Sequence, residues 1–177
     1  GGVYMAKVIG IGNESFQEIR ENDCFYIDKT FFIKEWWENM DKSTLITRPR
    51  RFGKTLNMNM LECFFSNKYK DRGDLFEGLD IWKEEKYREL QGTYPVIFIS
   101  FAKIKQNNYT DTIAGIKRII CDVIQKYYFL KDWQGLTDEE KNNLKSITYG
   151  MDDVTAQEAI ASISNYISRY YGKKVII

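Results

Sequence analysis

Arg48-Pro49-Arg50-Arg51-Phe52-Gly53-Lys54-Thr55 holds the residue types that grip a phosphate ester, at the spacing the task requires. The octet matches the phosphate-binding pattern GxxxxGK[ST] at every defined place except the first, where Arg48 stands for glycine. Gly53 lets the backbone come close enough for successive amides to point at phosphate oxygens. The amides that open a following helix, Leu56 included, add the positive end of its dipole. Lys54 would set an ammonium on the β- and γ-phosphates, and the Thr55 hydroxyl would ligate Mg²⁺. These two are the candidate catalytic pair, with Thr55 the candidate metal ligand. With the first glycine gone, the turn depends on Pro49, whose fixed φ narrows the loop. The competing view is a solvated basic turn, but four cations and no carboxylate in eight positions favour phosphate.

Such a loop works only between a strand and a helix, and the flanking residues have those patterns. Residues 43–47 (STLIT) form a short β-prone run, and Leu56, Met60, Cys63 and Phe64 then share one helical face. Upstream, residues 24–27 are extended, and Asp28 can cap a helix carrying Phe32, Ile33, Trp36, Trp37 and Met40. Downstream, a turn at Gly78 precedes a short charged helix over 82–90. Residues 94–101 (YPVIFISF) are apolar almost throughout, as in a strand buried on both faces of a parallel sheet, with Pro95 tolerated near its start. A long helix follows over 109–130. Thr137 with Glu140, and Thr155 with Glu158, match the capping box and predict two more helices, the second stopping at Gly172. Residues 173–177 (KKVII) predict a last strand. Strands alternating with helices imply an α/β fold, a three-layer α/β/α arrangement with a mainly parallel sheet in a single domain over 1–177.

Composition narrows the chemistry further. The chain has 177 residues, 26 Lys plus Arg against 25 Asp plus Glu, and no histidine. No global field draws it onto nucleic acid or membrane, so any basic site is local. The absence of histidine removes Ser-His and Cys-His catalysis and His-ligated zinc. Cys24, Cys63 and Cys121 are isolated and odd in number, which predicts free core thiols rather than a disulfide or zinc framework. No apolar run approaches the roughly 20 residues that span a bilayer, and the first residues lack a basic leader, so the expected location is the cytoplasm.

Several blocks together carry a resemblance. FYIDKTFFIKEW (25–36) and LITRPRRFGKTLNMNMLECFF (45–65), followed by LFEGLDI (75–81) and YPVIFISF (94–101), make the chain similar to the AAA-ATPase-like family of bacteria and archaea. Members carry a YVDKT block, then RPRRFGKS or RPRRFGKT, an LFxGLxI block and a yPVIxxxF strand, and the likeness runs from about Ile11 to the last residue. Within that family Arg48 is the expected residue. The resemblance implies a P-loop NTPase fold, ATP with Mg²⁺, and a loose kinship with archaeal ATPases bearing GRRRxGKT. It also implies a Walker B strand of the type KKVIILIDEYD, a second half of the ATPase domain and a PD-(D/E)XK-nuclease-like domain. This chain stops at KKVII, before any such acid, so the expectation is that it binds nucleotide without turning it over.

Further expectations attach to the same blocks. In related ATPases the YIDKT segment lies over the adenine, where backbone groups of Ile27 and Asp28 would read the base; alternatively Asp28 simply caps the next helix. Arg50 and Arg51 suit phosphate in any of three settings: the nucleotide, a nucleic-acid backbone or a neighbouring subunit's nucleotide. A non-hydrolysing module that binds nucleic acid or protein through the Arg48–Arg51 loop is the runner-up function. Trp36-Trp37, Tyr127-Tyr128 and Tyr170-Tyr171 are read as core packing, one ring of each pair facing inward, rather than as base-stacking platforms. The acidic groups 138–140 and 152–153 are read as helix starts and not as metal sites. If the lineage's strand order holds, 43–47 lacks an in-chain neighbour on one side, unless 175–177 or 3–9 fills it. Such an open edge would favour self-association.

Overall fold

Residues 15–39, 54–101, 103–104 and 107–177 are described by the computed structural model. The chain divides into two compact units, Gly1–Thr93 and Tyr94–Ile177.

In the first unit, Ser15 opens α1 (Phe16–Glu21) by accepting the Glu18 N–H on its hydroxyl, and α1 turns Phe16 and Ile19 inward. Two further helices follow, α2 (Phe31–Glu38) and α3 (Lys54–Phe65). Met60, Leu61, Cys63, Phe64 and Phe65 of α3 are all buried. The Phe16 N–H donates to Asn59 Oδ1 at 2.6 Å, which pins α1 to α3. Three 3-10 turns come next, Asn67–Tyr69, Gly73–Phe76 and Asp80–Lys83, and then α4 (Glu85–Leu90). The core is built of rings: Phe76 stacks on Phe16 at 5.1 Å and meets Phe64 edge-on at 5.1 Å, while Trp36 and Trp37 both lie against Phe65 at 5.3 and 5.2 Å. Large aromatic areas removed from water give this small unit its driving force.

The carboxyl end of α3 leaves carbonyls without helical partners. Gln91 and Gly92 supply them. The Gln91 side-chain amide donates to Cys63 O at 3.3 Å and to Tyr69 O at 2.8 Å, and the Gly92 N–H donates to Phe64 O at 2.7 Å.

The second unit holds α5 (Tyr109–Gln125), α6 (Asp138–Ser146) and α7 (Asp153–Tyr171), with a 3-10 turn at Tyr128–Asp132. Ile120, Ile124, Leu130, Leu144, Ile163 and Ile167 are among its buried core residues. The Thr137/Glu140 capping box is present. That at Thr155/Glu158 is not: Asp152 caps α7 by accepting the Thr155 N–H at 2.7 Å, so Thr155 falls one turn inside the helix. The carboxylate three residues upstream is the stronger acceptor at a helix amino terminus. Gly172, at φ 65°, ends α7 as expected.

The three-layer α/β/α arrangement with a mainly parallel sheet is overturned. The described residues form seven α-helices and several 3-10 turns, and no strand or sheet occurs among them. Residues 94–101 and 173–177 meet at one isolated parallel bridge, Val96 with Ile176, made by Ile97 N–H to Ile176 O at 2.8 Å and Ile176 N–H to Pro95 O at 3.0 Å. Composition made residues 94–101 β-prone, but a strand also needs a ladder of lateral partners. Here burial fades along the run, from buried Pro95 and Ile97 through half-buried Phe98 and Ile99 to exposed Ser100 and Phe101. The run 43–47 lies outside the described residues, and with it the expected open edge. Among the described residues no helix is long and apolar enough to cross a membrane.

Cys63 and Cys121 are buried thiols and Cys24 is only half-buried, so two of the three belong to the cores. Burial pushes the Cys63 thiol up to about 12.

The acidic helix starts have structural work. Asp153 pairs with Lys117 at 2.7 Å, and Glu140 closes the capping box while pairing with Arg169. The Arg169 guanidinium, followed by the Thr137 amide, holds Glu140 down at about 2. Because the folded value lies below the ordinary 4.5, this carboxylate contributes stability above pH 4.5 and loses it as pH falls toward about 2. The stability difference between wild type and Glu140→Gln should therefore be present at neutral pH and shrink over that acid window. Melting curves that keep a constant gap down to the acid limit would contradict it.

Candidate functional site

The extended segment 24–29 forms one part of the candidate site. Its side chains alternate, with Cys24, Tyr26 and Asp28 partly buried and Phe25, Ile27 and Lys29 exposed, as the period of two demands. The Tyr26 ring meets Phe16 edge-on at 5.5 Å. Its hydroxyl donates to Met60 Sδ and accepts the Lys29 N–H, both at 3.3 Å, and burial raises its pKa. Met60 is six residues along α3 from Lys54, about 9 Å at 1.5 Å per residue. Tyr26 thus fastens the segment to the helix that Lys54 begins.

Asp28 and Thr30 hold the other side. One carboxylate oxygen of Asp28 accepts the Thr30 N–H at 2.9 Å and the Thr30 hydroxyl at 2.6 Å, and the other accepts the Asp80 N–H at 2.8 Å. The fully buried Thr30 hydroxyl oxygen in turn accepts the Ile81 N–H at 3.2 Å. Burial acts to raise the Asp28 pKa, and the donors from Thr30 and Asp80 outweigh it, leaving the carboxyl below its ordinary value. Asp28 is therefore not a side-chain cap of α2. Thr30 occupies the N-cap position, but its side chain makes no bond to the first amides of α2, because its hydroxyl is held by Asp28, which closes a local turn onto the residue two places on.

Arg20 completes the frame, donating to Leu75 O and Glu77 O at 2.7 Å each. The YIDKT and LFEGLDI blocks, about fifty residues apart, are in this way one hydrogen-bonded structure. Sequence reasoning missed that link between Asp28, Thr30, Asp80 and Ile81. The only signal for it was that both blocks belong to one recurring pattern.

Held from both sides, the segment leaves Ile27 outward, 64% exposed. Among the described residues nothing donates to or accepts from its backbone amide and carbonyl. Of the basic loop, Arg48, Pro49, Arg50, Arg51, Phe52 and Gly53 lie outside the described residues, as does the Lys54 side chain. Helix α3 runs from Lys54, with Thr55 exposed and Leu56 half-buried.

Residues 10–177 match the protein family described as "Predicted AAA-ATPase". A curated relative from Azotobacter chroococcum mcd 1, an "Uncharacterized protein in vnfD 5'region", is 36% identical over 97 residues. That stretch is 54% of this chain and 17% of the relative, so the match spans less than a fifth of the relative's length. No solved structure matches the chain.

Proposed function

Since this chain belongs to the AAA-ATPase-like family, matched over residues 10–177, we propose that it binds ATP with Mg²⁺ through the variant loop Arg48–Thr55. The observation that carries this is the placing of Lys54 and Thr55 at the start of α3, with the YIDKT segment fastened to the same helix through Tyr26 and Met60. The donor set suits a triphosphate: a lysine, three arginines, a hydroxyl and the amides of a helix start, Leu56 among them.

In this proposal Lys54 neutralises the β- and γ-phosphates, Thr55 ligates Mg²⁺, and Arg50 and Arg51 take outer phosphate oxygens. Pro49, Phe52 and Gly53 shape the loop. The outward backbone of Ile27, which no described residue engages and which Asp28 and Thr30 present, reads the base edge. Mg²⁺ supplies charge neutralisation at the phosphates, and hydrolysis is proposed only for the whole protein. A cytoplasmic setting agrees with three free thiols.

Mg-ATP at about 100 times its dissociation constant should stabilise the protein by roughly 2.7 kcal/mol. Lys54→Ala should remove most of that gain while leaving the ligand-free melting temperature unchanged. Identical melting temperatures with and without millimolar Mg-ATP would refute the proposal. So would an undiminished shift in Lys54→Ala.

A further inference from the structure

A hydrogen-bonded frame holds segment 24–29 from within, and what it holds outward is apolar. Phe25 is 54% exposed beside the exposed Ile27, and Phe31, which opens α2, is 64% exposed. Among residues 25, 27, 29 and 31 only Lys29 is charged, and its sign suits a ligand that carries phosphates. Apolar residues scattered singly on a surface are ordinary. Here Phe25, Ile27 and Phe31 stand close together on a stretch fixed by Tyr26, Asp28 and Thr30, and such a group marks a binding face.

The backbone narrows what that face can hold. In extended chain, alternate residues turn their amides and carbonyls to the same edge. On the edge shared by 25, 27 and 29, the Lys29 N–H is already taken by the Tyr26 hydroxyl, while no described residue engages the backbone of Phe25 or Ile27. Two open residues are too few for an added peptide strand, whose ladder runs over three or more. A lipid chain would cover the side chains and leave the amide and carbonyl of Ile27 without hydrogen bonds. A flat heterocycle satisfies both demands, because its face meets apolar side chains and its edge offers a donor beside an acceptor.

Position selects the heterocycle. Tyr26 is bonded to Met60, which lies about 9 Å along α3 from Lys54. A ribose and its first phosphate bridge such an interval, so a nucleotide whose outer phosphates lie at the start of α3 delivers its base to this face. We propose that Phe25 is a specificity-determining residue of the nucleotide site, its ring stacking on a purine base while the Ile27 backbone pairs with the base edge. This rests on the reading of Arg48–Thr55 as the phosphate site. Adenine and cytosine offer the Ile27 backbone the same pattern, an amino donor beside a ring-nitrogen acceptor, so the edge does not separate them. The face does: a purine lays two fused rings on Phe25 and a pyrimidine lays one.

The test is isothermal titration calorimetry of the full chain with Mg-ATP, Mg-CTP and Mg-tripolyphosphate, the last having no base. Mg-ATP should bind about tenfold more tightly than Mg-CTP, and tripolyphosphate more weakly than either. Phe25→Ala should weaken Mg-ATP about tenfold, bring it level with Mg-CTP and leave tripolyphosphate unchanged. Phe25→Trp, which keeps a ring, should keep the preference. Phe129→Ala, at an exposed ring of the second unit, should alter none of the three affinities. Equal affinities for all three ligands, each lost in Lys54→Ala, would overturn the role of Phe25 and leave the phosphate site standing. An ATP preference that survives Phe25→Ala would overturn it too, as would a loss of tripolyphosphate binding in that variant, which would make Phe25 structural. Absence of binding by all three would refute the phosphate site and the proposal with it.

Discussion

Gly92→Ala should destabilise the first unit by about 4 kcal/mol. Gly92 stands at φ 70°, a conformation in which an L-residue's Cβ crowds the carbonyl oxygen. A Cβ there would also lie 2.4 Å from Lys70 Cα and 2.9 Å from Lys70 N. Both are backbone atoms, so no rotamer change relieves the contact. The turn at 69–70 would have to move, and with it the Gln91 and Gly92 donors that satisfy the last carbonyls of α3. Gly78 provides the control: its φ is 79°, but nothing lies within 4 Å of a Cβ built on it. Gly78→Ala should therefore show only the conformational part, about 1 kcal/mol. The difference in urea unfolding midpoints isolates the clash, and equal losses in the two variants would contradict this account.

Asp28→Ala should cost about 3 kcal/mol, because it strands three donors at once: the Thr30 amide, the Thr30 hydroxyl and the Asp80 amide. The Thr30 pair is the costlier part, since that residue is fully buried and water cannot replace the lost acceptor. Asp28→Asn, which keeps an acceptor oxygen but loses the charge, should fall between the two proteins. The pH dependence has a definite sign. With the folded pKa below the ordinary 3.8, the contribution is complete above pH 3.8 and fades as pH falls through the folded value. The stability gap between wild type and Asp28→Asn should narrow in that acid range. A gap that widens on acidification, or an Asp28→Ala variant as stable as wild type, would show that the clasp holds little. Because Asp28 also presents Ile27, the same variants should weaken Mg-ATP binding if Ile27 reads the base.

Some of this structure is legible because its causes are local. The caps at Thr137 and Gly172 need only residues within one helical turn, and both are found as expected. The cap of α7 shows where local reading slips. Thr155 and Glu158 fit the pattern, yet Asp152, three residues earlier, accepts the Thr155 N–H and starts the helix a turn sooner. Which of two adequate caps wins is a competition, and a pattern that tests one candidate does not see the other. The aromatic pairs show the same limit. Periodicity places Tyr170 on the stripe of Ile163 and Ile167, yet Tyr170 is exposed, because periodicity does not say where the core stops covering that stripe.

By itself, the sequence determined the helices α2 to α7, though not α1, and the family that the match over residues 10–177 bears out. Helix hydrogen bonds close within the segment that makes them, so their partners are near neighbours in the sequence. Only the tertiary structure decided the rest. Residues 94–101 had strand composition and became extended chain with a single bridge, because a strand is completed by partners from elsewhere. Asp28 had the residue type of a cap and became half of a clasp with Asp80, because a carboxylate goes to whichever donors the fold brings within reach, here an amide 52 residues away.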